Sequence, residues 1–252
     1  MTYILEDLNL LKVQSENSKD KKTGKFVIEP LSPGYGVTVG NTLRRVLLAS
    51  LEGYAVHSVK ISGADHEYST IKGVKEDAVD IILNLKSLKF KMTTDEAVLT
   101  LSVKGPKKIT ASDFKKNAYV EIVDEDAYIA TVEKGNKLDL EITVNHGRGY
   151  VPIERKSEMK VPIGTILVDS AYTPVKKVRF DVENARVGGM TNYNKLIVEI
   201  TTDGSISPSE ALSTAAMIMT EHLQVIVEAT SEKAKTDGIK QVKTVKSRKT
   251  KE

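Results

Sequence analysis

The chain has 252 residues, 40% of them hydrophobic and 28% charged, which is enough for one large domain or two smaller ones of ordinary soluble composition. It contains no cysteine, so disulfides and thiolate chemistry are excluded. The formal charge of +3 does not point to a nucleic-acid-binding body: residues 231–252 carry eight Lys or Arg against three Asp or Glu, a local +5 that leaves −2 for residues 1–230. The start, MTYILEDLNLLKV, is acidic early and lacks the basic-then-apolar order of a leader. No apolar run approaches the roughly 20 residues of a membrane span. A cytoplasmic protein with no membrane partner is expected.

In chain order, strands are expected over residues 8–13 and 25–29, then a helix from Asn41, a candidate N-cap. Leu43, Val46, Leu47 and Leu51 recur at helical spacing and define its buried face. Arg44, Arg45 and Leu48 fall off that face, and an exposed leucine beside a guanidinium suits either a partner-binding surface or a solvated helix face. Gly34, Gly36 and Gly40 match neither the dinucleotide fingerprint nor the P-loop and are read as permitting bends and close packing. Val74, Ala78, Ile81, Ile82 and Leu85 predict a second helix, with Glu76 and Asp77 at its start and Lys86 complementing the dipole at its end. Alternation predicts half-buried strands over residues 97–103 and 138–144, with shorter ones at 56–61, 119–123 and 128–132. The segment 146–152, HGRGYVP, reads as a structured turn with Tyr150 packed, or as a contact site using Arg148 and Tyr150. Two further strands alternate through Val178, Phe180, Val182 and through Leu196, Val198, Ile200.

The last helix announces itself with Ser207 at the N-cap, Pro208 at the first turn and Glu210 three residues after the serine. Leu212, Ala215, Ala216, Met219, Leu223 and Ile226 form one apolar stripe, and Ala211, Ile218, Val225 and Ala229 a second. So wide an arc is buried on two sides, either deep in a core or between its own sheet and a second chain. No catalytic or metal constellation accompanies these elements: His66-Glu67 has Thr70 where a zinc-protease motif needs its second histidine, and the four histidines share no ligand spacing. Neither a cofactor nor a metal is expected.

Four segments, FVIEPLSPGYGVTVGNTLRRVLLASL (26–51), HEYSTIKGVKEDAVDIILNLKSL (66–88), GRGYVP (147–152) and PIGTILVDSAYTPVKKVRFDVENARVG (162–188), resemble the bacterial RNA polymerase alpha subunit in the family's order. The resemblance implies an α+β fold: a discontinuous dimerisation domain (1–52 and 178–235; an antiparallel sheet with two main helices), a β-rich insert (53–177) and a basic tail (236–252). It further implies a homodimeric, non-catalytic scaffold of a nucleotidyltransferase, built around Leu43, Val46, Leu47, Leu212, Ala216, Met219, Leu223 and Ile226. Arg44, Arg45 and Leu48 would bind the beta subunit, and Lys86, Val168, Val175 and Lys195 the beta-prime subunit. Sigma and omega would be met only through the holoenzyme. Asn192 and Asn194 stand where the family commonly has aspartates, so charge pairing there is expected to be weakened. The family's C-terminal helical domain is not expected here, and with it no direct promoter contact. Rival readings are a scaffold subunit of an archaeal or organellar polymerase, or a nucleic-acid-binding protein acting through the tail.

Overall fold

The computed structural model describes residues 11–18, 20–156, 162–187 and 189–230. The basic tail and residues 8–10 of the first expected strand lie outside them. In chain order the elements are β1 (Lys12–Asn17), β2 (Thr23–Leu31), α1 (Tyr35–Ala49), β3 (Glu52–Ile61), α2 (Ala78–Ser87), β4 (Phe90–Met92), β5 (Glu96–Lys104), β6 (Lys107–Thr110), β7 (Val120–Ile122), β8 (Tyr128–Val132), β9 (Lys137–Arg148), β10 (Tyr150–Val151), β11 (Thr165–Leu167), β12 (Ser170–Ala171), β13 (Val175–Val187), β14 (Met190–Thr202) and α3 (Pro208–Thr230). The fold is α+β with antiparallel pairing throughout.

Two apolar cores divide the chain. The first is centred on the sheet β1-β2-β14-β13. Phe26, Val198 and Phe180 stand in register across three strands, and alternate residues of each strand point the same way, so one face turns to the helices. Leu43, Leu47 and Leu51 cover that face together with Ala211 and Ala215 of α3. The second core, running from Val56 to Val168, fills the sheet β11-β3-β9-β5, helix α2 and the two-stranded antiparallel pairs β4–β7 and β6–β8. The chain therefore leaves the first unit after Leu51 and rejoins it at Val175, whose side chain packs in the first core.

Three local differences from the sequence reading have simple causes. Helix α1 begins at Tyr35, six residues before Asn41, because Gly36 and Gly40 continue its buried stripe through Leu43 and Leu47. A Cβ on Gly40 would lie 2.6 Å from Phe180, and one on Gly36 2.7 Å from Val182, so the helix rests on the sheet at a distance only glycine allows. Val74 and Glu76 precede α2: the Glu76 carboxylate instead accepts a hydrogen bond from the Thr131 amide at 2.7 Å and another from the Tyr128 hydroxyl, fastening this segment to β8. Finally, HGRGYVP is largely strand. β9 runs on to Arg148 beside β3, with Glu52 opposite Arg148 and Gly53 opposite Gly147. The ring of buried Tyr172 lies against Gly147, where a Cβ would meet it at 2.7 Å, and its hydroxyl donates to Asn145 Oδ1 at 2.7 Å. Tyr150 is exposed, not packed.

Candidate functional site

The C-terminal half of α1 presents Arg44 and Arg45 to solvent, and neither forms an ion pair or hydrogen bond with the described residues. The helix supplies no acidic residue in its first turn and no lysine in its last, so the two guanidiniums are the only charges along its length. Leu48 lies next to them but is not free: it is half-buried against the first core, and its carbonyl receives the Thr173 hydroxyl at 3.5 Å. The patch is thus two exposed cations beside a half-buried apolar residue.

What holds α1 in place is largely out of sequence reach. Gly34, in the left-handed region at φ 85°, offers no side-chain cap. Asn194 of β14 takes over, its Oδ1 accepting from the Gly34 amide at 2.9 Å and the Gly36 amide at 3.2 Å, while Tyr35 N–H donates to the Ser32 carbonyl at 3.0 Å. The aspartate-to-asparagine departure at Asn194 leaves this acceptor role intact, since an amide oxygen serves where a carboxylate would. A separation of 160 residues hid the contact from any local pattern.

Helix α3 starts as expected: the Ser207 amide donates to Glu210 Oε2 at 2.9 Å and the Glu210 amide to Ser207 Oγ at 3.2 Å. The Ser207 amide and hydroxyl, both donating to Glu210 Oε2 at 2.9 Å, hold the Glu210 carboxyl below its ordinary pKa. Only Pro208, Ala211 and Ala215 are buried; Leu212, Ile218 and Met219 are half-buried against the first core. Ala216 and every residue from 221 to 230 are exposed, with Leu223, Val225, Ile226 and Val227 between 57% and 64% accessible. Leu43 and Leu47, expected at a dimer contact, are instead interior to their own chain and drop out of that set; Val46 is half-buried beside them.

The four residues expected to meet a second partner do not form one surface. Val168 (2% exposed) and Val175 (4%) are core residues of the two different units, so neither is a surface contact. Lys86 and the residue after Val168 do come together: Lys86 Nζ pairs with Asp169 Oδ2 at 3.1 Å. Burial works against the ionised Asp169 carboxylate, yet Lys86 and the Ile153 amide, which donates to Oδ1 at 3.0 Å, bring its pKa below the ordinary value. Below this pair, Lys156 is 2% exposed and donates to the Val168 carbonyl and, at 2.6 Å, to Ser170 Oγ. Burial lowers its pKa to about 8, against the pull of Asp169. Lys195 sits elsewhere, on the outer face of the first sheet, paired with Glu183 at 3.0 Å, a bond that raises the lysine's pKa. Sequence reading missed Asp169 and Lys156; their neighbours looked unremarkable because the partners are set by folding.

Among the described residues no three His, Cys, Asp or Glu side chains gather as metal ligands, and no helix is long and apolar enough to cross a membrane. Residues 59–173, nearly coextensive with the second core, match the RNA polymerase Rpb3/RpoA insert domain. Over 216 residues the chain is 50% identical to the DNA-directed RNA polymerase subunit alpha of Symbiobacterium thermophilum, an alignment covering 85% of this chain and 69% of that relative. The chain belongs to the DNA-directed RNA polymerase alpha subunit family. Alpha subunits of Clostridium botulinum and Clostridium acetobutylicum are 48% and 47% identical over the same span. In this alpha-family chain, the insert is the compact second unit and α1, α3 and their sheet form the first.

Proposed function

We propose that the chain is a non-catalytic assembly platform that dimerises through α3 and then captures the two large polymerase subunits, beta and beta-prime. The observation that carries this reading is the contrast within α3: its first three turns seat on the sheet, while its last ten residues leave a broad apolar surface uncovered. Exposed contiguous apolar area of this kind marks a protein contact. Leu212 and Met219, half-buried, and Ala216, Leu223 and Ile226, exposed, would form the dimer contact with Val46 at its border. Arg44 and Arg45, with Leu48 as their apolar footing, would receive beta, where unpaired guanidiniums suit partner carboxylates. Lys86, with Asp169, and Lys195 would meet beta-prime, on separate units.

Co-expression with bacterial beta and beta-prime subunits, followed by pulldown, tests the assignment. Arg45→Ala is expected to remain dimeric and weaken beta capture by on the order of thirtyfold, the size of an interface hot spot of about 2 kcal/mol. Undiminished capture by this variant contradicts it.

A further inference from the structure

We infer that Asn194 is a positioning residue for the partner-binding end of α1: an acceptor supplied by the sheet replaces the cap the helix lacks and thereby fixes where Arg44 and Arg45 point. The inference rests on the reading that these arginines receive the beta subunit. Four observations converge. Gly34 provides no side chain at the N-cap and is in the left-handed region, so the helix start has no acceptor of its own. Asn194 Oδ1 accepts from both the Gly34 and Gly36 amides, which ties the first turn to β14 in addition to its bond with the Ser32 carbonyl. Asn194 keeps regular register with β13 and lies two residues before the buried Leu196, so strand alternation puts it on the sheet face that carries α1. The added Cβ of Gly36 would stand 3.0 Å from the Asn194 Cβ, so helix and strand touch where the bond is made.

The consequence reaches the other end of the helix. Arg45 is nine residues beyond Gly36, about 14 Å along the axis. Helix α1 is steadied over this length by the glycine contacts and by Leu43 and Leu47, all on one face. A stripe of apolar contacts resists separation but permits sliding and rolling; a directional bond at the end removes that freedom. Without it, the seated helix is one of several arrangements, and apparent affinity falls by the fraction that remains seated. Burial of Asn194 as a general packing residue does not predict this dependence on an acceptor oxygen.

The test compares Asn194→Ala, Asn194→Leu and Asn194→Asp with wild type and Arg45→Ala in the full chain. Thermal melting and light scattering establish that each variant is folded and in the same oligomeric state. Amide hydrogen exchange at Gly34 and Gly36 and the Kd for purified beta subunit are then measured. Alanine and leucine are expected to speed exchange at both amides and to weaken beta binding about five- to tenfold, the scale of losing one cap. Aspartate, which keeps the acceptor and adds a charge favoured at a helix N-terminus, is expected to restore both. Should leucine not fold, the alanine and aspartate pair decides. Faster exchange with unchanged affinity in the alanine variant overturns the positioning role and leaves a local cap. Equal weakening by aspartate and alanine overturns it too. If Arg45→Ala binds beta as wild type does, the partner reading itself is at fault, and the positioning role goes with it even where the exchange results stand.

Discussion

The two units of this alpha-family chain solve the burial problem differently. The insert gathers 26 buried apolar residues from its strands, connecting segments and α2 into a core closed on itself. The discontinuous unit gathers 12, two of them the alanines that α3 contributes, and leaves the apolar second half of that helix uncovered. A small core gives correspondingly less stabilisation, and at about 25 cal/mol per Å² the exposed leucine, isoleucine and valines would contribute several kcal/mol if a second surface covered them. The insert reads as a finished domain and the discontinuous unit as half of one.

The sharpest way to break that contrast is to unseat α1. Gly40→Val places atoms where Phe180 and Leu196 already stand, so a loss of about 3 kcal/mol is expected from overpacking. Differential scanning calorimetry should show the discontinuous unit melting earlier while the insert holds its transition; a single transition, shifted as a whole, would mean the two units do not separate.

Lys156 probes the insert, where the closed core contains a buried amine. With its pKa near 8 in the fold and about 10.4 in the unfolded chain, the unfolded state binds more protons between those values. Its burial therefore costs most below pH 8, and the cost is relieved as pH rises towards 10. Relative to Lys156→Met, wild type should gain on the order of 2 kcal/mol across that window in urea unfolding. Parallel pH profiles would show that the ammonium carries no such penalty.

The smallest effect concerns the start of α3. Glu210→Ala removes one half of the capping box and should cost about 1 kcal/mol at neutral pH. Because the folded pKa of Glu210 lies below the ordinary one, its contribution is present above the unfolded value and is lost as pH falls through the folded value. Thermal melts of wild type and variant are expected to converge on acidification.

How far the chain could be read in advance depended on whether the deciding contacts were local. The capping box at Ser207 and the alternation through β5 and β9 appeared in the residues and stand in the fold, because each rests on neighbours a few positions apart. The start of α1 was misjudged because Gly36 and Gly40 look like helix breakers until Phe180 and Val182 are brought against them. Val168 and Val175 illustrate the limit of a motif match: it named these residues without distinguishing one facing solvent from one facing the core. Arg44 and Arg45 were legible as a patch, whereas Asn194, 160 residues from the amide it caps, was not.

The claim on which the rest depends is that the discontinuous unit is completed by a second copy. Light scattering over a hundredfold dilution series tests it directly, with wild type and Leu223→Asp/Ile226→Asp measured side by side. From a chain mass of 27.7 kDa, wild type is expected to hold at twice that value while the doubly charged variant, still folded by circular dichroism, falls to the single-chain mass. A wild type that scatters as one chain at every concentration, or a variant that dimerises as tightly as wild type, would contradict the account.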